Sequence, residues 1–222
     1  MNGGAVYSGP AGTVPVWKVD PVHFDPEMLD EAASVLRGGG VLIYPTETLY
    51  GLGGKPVQNV VDRVYRIKGR TASKPLPLVA ADMDAVRAAV ALWPSSAEKL
   101  AKKFWPGPLS LLLHAAPHLP PSLHGRTGRI AVRISPHPVA RALSSAAGGL
   151  LISTSANPAG QPPSHDPDGI SGELISKVDG MVDAGLLPGG PPSTIVDVTV
   201  VPPRIVRTGC VPVERVMEVI TR

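Results

Sequence analysis

The sequence predicts an α/β fold, a single-domain twisted mixed sheet flanked by helices. Three observations carry that expectation. Helical apolar stripes and short runs of strand-forming residues alternate along the whole chain. Several of the short runs are joined by tight turns, which suits a mixture of parallel and antiparallel pairing. Glycine (24) and proline (26) are abundant enough among 222 residues to punctuate many short elements.

In chain order, residues 1–22 read as a loose N-terminal leader. Residues 1–15 carry no charged side chain and no continuous apolar core, which does not match a signal peptide. One domain is expected over 23–222. Asp25-Pro26-Glu27 supplies an N-cap, a first-turn proline and an acid at the positive end of a helix dipole. Met28, Leu29, Ala32, Ala33 and Leu36 follow at helical spacing, and Gly38 ends that helix. Val41–Tyr44 is a short buried strand. Val60, Val61, Val64, Tyr65 and Ile67 form a second helical stripe, stopping at Lys68-Gly69-Arg70. Leu76–Ala80 is a strand, Asp82 caps a third helix, and Ser95 or Ser96 begins a fourth that ends before Pro106. Leu109–Leu113, Ile130–Ile134 and Leu150–Ser153 are strands, with His137–Ala146 helical before the last. Met181–Asp183, Thr194–Val198 and Arg204–Val206 are further strands. Pro212–Ile220 is a final helix with Val213, Val216, Met217 and Ile220 on one face.

Composition and motif absences exclude several functions. Cys210 is the single cysteine, so neither an internal disulfide framework nor a cysteine-based metal centre can form. No apolar run approaches the roughly 18 residues of a membrane span, and a soluble, cytoplasmic protein without membrane contact is expected. Gly54-Lys55 is followed by Pro56, which rules out a phosphate-binding P-loop, and Gly51-Leu52-Gly53-Gly54 lacks the last glycine of a dinucleotide fingerprint. No G-x-S-x-G elbow is present. His114 and His118 are separated by Pro117 after a strand, a poor setting for a helical metal pair, and no metal ligands are assigned.

Net charge is only +3, but Arg63–His165 holds 13 Lys/Arg against three acids, and no acid occurs from Lys99 to His165. A region this basic attracts nucleotide phosphates, RNA or an acidic partner, or else forms a solvated face. Its cations sit beside Gly/Pro/Ser turns rather than along a helix face.

Six polar constellations lie at predicted strand ends, where open α/β sheets bind ligands. Pro45-Thr46-Glu47-Thr48-Leu49-Tyr50-Gly51-Leu52-Gly53 offers two hydroxyls and a carboxylate, although an ordinary turn would also use those threonines. Lys68-Gly69-Arg70-Thr71-Ala72-Ser73-Lys74-Pro75-Leu76 brings three cations off a helix end. Complementing the helix dipole accounts for Lys68 but not for Lys74. Pro106-Gly107-Pro108-Leu109-Ser110 delivers a hydroxyl onto a strand. Arg133 lies on a strand that otherwise reads buried, so it needs a carboxylate or phosphate partner. Ser153-Thr154-Ser155-Ala156-Asn157-Pro158-Ala159-Gly160 is polar at another strand end, and Ser193-Thr194 pairs with Arg207 on adjacent strands.

Together these segments resemble the YrdC/Sua5 family of threonylcarbamoyl-AMP synthases. PTETLYGLG (45–53), KGRTASKPL (68–76), PGPLS (106–110), IAVRISPHP (130–138), TSANPAG (154–160), STIVD (193–197) and RTG (207–209) occur in the family's order, across roughly residues 28–210. The chain stops soon after RTG and is similar to the single-domain YrdC type, which implies a YrdC-like catalytic domain over 23–222. The resemblance implies a nucleotidyltransferase that joins L-threonine, bicarbonate and ATP into threonylcarbamoyl-AMP and pyrophosphate, for threonylcarbamoyladenosine modification of tRNA. It implies that Thr46, Arg133, Ser153 and Ser193 contact threonine and that Lys68, Arg70, Lys74, Ser110, Ser155, Asn157 and Arg207 surround ATP, with Lys68 and Arg70 catalytic. Mg²⁺ would arrive with ATP. Downstream threonylcarbamoyl transferase proteins, and tRNA through the basic region, would be partners. Thr71, Ser110, Val79 and Asp183-Ala184-Gly185 depart from the family pattern; Val79 stands where some members carry a histidine.

The residue types suit that chemistry. Attack on the α-phosphorus builds negative charge on the bridging oxygen and the leaving pyrophosphate, which fixed cations stabilise without a covalent nucleophile. The alternative is an RNA- or nucleotide-binding YrdC-like module without synthase activity. Against the RNA form, Trp17, Trp93, Trp105, Phe24 and Phe104 do not interleave with the basic residues as stacking platforms would.

Overall fold

The computed structural model describes residues 5–9, 12–71 and 74–221. It opens with a hairpin, β1 (Ala5–Gly9) and β2 (Gly12–Lys18). The loose leader is therefore corrected over this stretch: β2 also pairs in parallel with a strand far along the chain, Val16 opposite Met181 and Lys18 opposite Asp183. The alternation of Val14 and Val16 with Thr13 and Pro15 was the strand signal, and Val14 is buried in the main core.

Asp25 accepts from the backbone N–H of Glu27 and starts a 3₁₀ turn at Pro26–Leu29, which leads into α1 (Asp30–Arg37). Then come β3 (Leu42–Pro45), β4 (Tyr50–Gly53) and α2 (Gln58–Lys68). Gly69 caps α2 at φ +59°, a left-handed conformation that glycine adopts without a Cβ penalty. The middle of the chain holds β5 (Leu78–Ala80), α3 (Met83–Ala89, with Asp82 accepting from Ala85 N), α4 (Ser95–Phe104), β6 (Leu109–His114) and β7 (Arg129–Ile134). It continues through α5 (Pro138–Ala146), β8 (Leu150–Ile152), β9 (Thr154–Ser155), α6 (Gly172–Ile175), β10 (Gly180–Asp183), β11 (Thr194–Asp197), β12 (Arg204–Arg207) and α7 (Val213–Ile220).

The strands form two six-stranded sheets rather than the expected one, in the orders β1-β2-β10-β3-β4-β9 and β12-β11-β6-β7-β5-β8. Both mix parallel and antiparallel pairs. Successive residues of β3 serve two cores. Ile43 faces the large cluster between the sheets and helices, whereas Leu42 and Tyr44 pack with Leu36 of α1 and Leu143 of α5. Each such fully buried leucine is worth about 1.5–3 kcal/mol, which holds α1 and α5 to the outer face.

The sheets meet where β8 runs into β9. Ile152 N donates to Gly54 O at 2.9 Å, and Ser153 N donates to Pro77 O at 2.8 Å. A Cβ on Gly53 would lie 1.8 Å from Ile152 O. Only glycine lets β4 approach β8 this closely, and the approach brings the 45–53 segment against Ser153 at the seam.

Candidate active site

A cavity of about 470 Å³ opens at that seam. One wall is the turn after β3 with the start of β4: Thr46, Thr48, Leu49 and Tyr50. Thr46 folds this turn on itself, its N–H and Oγ1 both donating to Leu49 O at 3.2 and 2.6 Å. A second wall is Ser153-Thr154-Ser155, the crossing between sheets. The floor is the face of the second sheet, and Arg70 and Pro75 come in from beyond α2.

The floor alternates by strand geometry. Ala131 and Arg133 are two apart on β7, Ser110 and Leu112 two apart on β6, and Ser193 and Ile195 two apart entering β11, so each pair shares a face. Leu112, Ala131 and Ile195 make an apolar patch; Arg133, Ser193 and Arg207 make a polar end. Ser110 Oγ lies 2.9 Å from Ser193 Oγ. Arg207 donates from Nε and Nη2 to Ser193 O at 3.1 and 2.8 Å.

Arg133 meets the carboxylate that its burial demanded. Its Nε donates to Glu47 Oε1 at 2.8 Å and its Nη2 to Glu47 Oε2 at 3.4 Å, with the two side chains only 8% and 9% exposed. Ser135 Oγ donates to Glu47 Oε2 at 2.6 Å. Burial pushes the Glu47 carboxyl up, but the Arg133 charge and the bonds from Ser135 and Arg133 outweigh it, and it sits below the ordinary carboxylate range.

The cations beyond α2 differ. Lys68 is buried, and its Nζ donates to Ser155 O (2.6 Å), Asn157 O (2.7 Å) and Asn157 Oδ1 (3.1 Å). Burial, then the Arg70 charge, lower it to about 8. Arg70 lines the cavity, and its buried Nε has no hydrogen-bond partner among the described residues. An unpaired buried donor is costly unless a ligand satisfies it. Burial also lowers Arg70, while Arg207 is lowered by burial and then by the nearby Arg133 charge. Cations held without carboxylate partners suit an anionic ligand.

The Sua5/YciO/YrdC family model, described as Telomere recombination, matches residues 34–209. The chain belongs to the Sua5/YciO/YrdC family. The threonylcarbamoyl-AMP synthase of Pyrococcus abyssi is 34% identical over 190 residues, covering 85% of this chain and 56% of that one. The threonylcarbamoyl-AMP synthase of Stenotrophomonas maltophilia is 40% identical over 158 residues, covering 70% of this chain and 85% of its own. Among solved structures, P. abyssi Sua5 complexed with L-threonine superposes with a TM-score of 0.88 at 32% identity, covering 92% of this chain and 60% of that one. The chain thus spans just over half of the Pyrococcus protein and most of the Stenotrophomonas one.

Within this Sua5/YciO/YrdC fold, seven of the sequence-assigned residues line the seam cavity: Thr46, Arg70, Arg133, Ser153, Ser155, Ser193 and Arg207. Four do not. Lys68 and Asn157 stand behind Ser155, whose Oγ donates to Asn157 Oδ1 at 2.5 Å, while Asn157 Nδ2 donates to Gln161 O. Ser110 lies behind Ser193 and is 1% exposed. The Lys74 side chain is exposed, while its backbone is engaged, the carbonyl accepting from Tyr65 OH at 2.8 Å and the N–H donating to Thr71 O at 3.4 Å. Lys68 is thus placed as a prop for the 155–157 loop, outside the lining of the seam cavity. Two features escaped the sequence reading. Glu47 lies within the 45–53 constellation, and the carboxylate that a buried Arg133 requires is the signal that points to it. The apolar floor was legible in the two-residue spacing of Leu112, Ala131 and Ile195 from polar site residues.

Proposed function

We propose that the chain is a threonylcarbamoyl-AMP synthase, a nucleotidyltransferase acting on L-threonine, bicarbonate and ATP. One observation carries the reading: a single seam cavity unites hydroxyls of the 45–53 and 153–155 segments with three arginines, one of which has an unsatisfied buried donor. The relatives named for this activity support it. The resemblance implies that Thr46, Arg133, Ser153 and Ser193 contact threonine; we assign its polar end to Thr46, Ser153 and Ser193 and its carboxylate to Arg133, because a bidentate arginine fits a carboxylate in a buried site. The threonine amine and bicarbonate form a carbamate, the new N–C bond replacing a C–O bond of bicarbonate that is lost as water. The carbamate oxygen then attacks the α-phosphorus of ATP and expels pyrophosphate. Arg70 stands where it can take up charge building on the phosphates, and Arg207 adds a second uncompensated cation. A carbamate hydrolyses readily in water, so the partial shelter of these walls would help to preserve it.

Mg²⁺ would come with the nucleotide. The cavity wall offers hydroxyls rather than carboxylates, and among the described residues no three His, Cys, Asp or Glu side chains cluster to hold a metal. That donor set suits a hard cation carried mainly by phosphate oxygens. When bound, it would offset phosphate charge. Among the described residues no helix is long and apolar enough to cross a membrane. A cytoplasmic location, tRNA contact through the basic region and hand-over to a downstream transferase complete the proposal.

Pyrophosphate release measured with each co-substrate omitted in turn is the test. Release should require both threonine and bicarbonate; equal release without either one would leave a nucleotide-binding protein of different chemistry.

A further inference from the structure

We propose that Glu47 is a positioning residue: it occupies one edge of the Arg133 guanidinium and neutralises it, so that the edge left to the cavity suits a monoanionic carboxylate and disfavours polyphosphate. The inference rests on the threonine synthase reading. A guanidinium has two edges that can each take a carboxylate in a fork. Glu47 takes the edge carrying Nε and Nη2. Nη1 and the second proton of Nη2 are left for a ligand in the cavity that Arg133 lines.

Glu47 cannot swing aside easily. Ser135 Oγ donates to it at 2.6 Å and itself accepts from His137 N at 3.1 Å, where α5 begins. Ser135 is fully buried, and the Thr46–Leu49 bonds close the turn that carries Glu47. Glu47 is therefore held by its own turn after β3, by Ser135 just past β7 and, through Ser135, by the start of α5, and it holds Arg133 in turn.

Among the described residues, the two other arginines that line the cavity have no such counter-charge. Arg207 bonds the neutral Ser193 carbonyl, and the Arg70 Nε bonds nothing. A polyphosphate at Arg133 would be repelled by the fixed Glu47 in proportion to its charge, a monocarboxylate far less. Glu47 thereby sorts anions: the carboxylate of the amino acid to Arg133, the phosphates to Arg70.

The test is Glu47→Gln, which keeps an acceptor for Nε but removes the charge and half the fork, with a thermal melt confirming the fold. L-Threonine and magnesium pyrophosphate are titrated separately by calorimetry. Threonine should bind about tenfold more weakly, the equivalent of about 1.4 kcal/mol, while pyrophosphate binds several-fold more tightly because Arg133 is no longer compensated. A role in folding alone would not move the two ligands in opposite directions. Ser135→Ala should weaken threonine by a smaller factor and leave pyrophosphate unchanged. A folded Glu47→Gln protein with both affinities unaltered, or both weakened alike, overturns the proposal. Should the unmodified chain bind pyrophosphate but no threonine, the synthase reading falls. The Glu47 inference is then decided on pyrophosphate alone: tightening in Glu47→Gln upholds charge neutralisation, and no change overturns it.

Discussion

Arg133 and Arg70 line the same cavity and are prepared in opposite ways. Arg133 rises from the middle of a sheet, is nearly sealed from solvent, and has a carboxylate on one edge. Arg70 stands just past the left-handed cap of α2 and, among the described residues, has no carboxylate partner and no bond to its buried Nε. The first cation is part of the fold and the second is held ready for a ligand. The difference teaches that a cation's place in a motif does not reveal whether its charge is already spent; only its neighbours do.

The comparison can be broken first on stability. Arg133→Ala strands the Glu47 carboxylate in the interior, and breaking a buried pair from one side costs about 3–5 kcal/mol. Arg70→Ala removes a donor that bonds nothing at Nε, so its denaturation midpoint should stay close to that of the unmodified protein. Equal losses in denaturant titrations of the two variants would erase the distinction.

Turnover should run the other way for Arg70. Losing one charge-stabilising donor costs about 10²–10³ in rate, so Arg70→Ala should show that drop in pyrophosphate release while folded. Near-normal turnover would move the phosphate site to Arg207.

The threonine end makes a smaller, graded prediction. A site that hydrogen-bonds a hydroxyl rejects valine strongly but serine only by the missing methyl, about 10–200-fold. Competition assays should rank threonine, serine and valine in that order. Serine used as well as threonine would mean that no wall of the cavity contacts the methyl group.

The smallest effect concerns Lys68, which is propped among carbonyls rather than facing the cavity. Its folded value, about 8, lies below the ordinary 10.5, so the unfolded chain holds the extra proton between them. Stability contributed by this group therefore rises with pH from about 8 to about 10.5. Lys68→Met should flatten that rise relative to the unmodified protein. An identical pH slope in the two would show that Lys68 is not desolvated as the structure has it.

Much of the fold was legible because burial leaves a periodic trace. The α2 stripe from Val60 to Ile67, the Asp82 cap and the strand cores of β6, β7 and β11 all appear within a residue or two of expectation. The hairpin at Ala5–Lys18 was not foreseen, since its pairing partner, β10, lies more than 160 residues away and only that contact makes the segment a sheet member. Tyr50–Gly53 read as a turn because its glycines mask a strand whose real constraint is the close approach to Ile152.

By itself the sequence determined the class of fold, the family, and the set of polar segments that converge, because spacing and residue type are local properties written along the chain. Tertiary structure alone decided that the strands split into two sheets with the cavity at their seam. It also decided that Lys68 and Ser110 stand behind the surface that Ser155 and Ser193 present, and that Arg133 arrives already paired with Glu47 across 86 residues of chain. The physical reason is that burial and charge compensation belong to neighbours in space, and neither a cation's partner nor its free edge can be read from the order of residues.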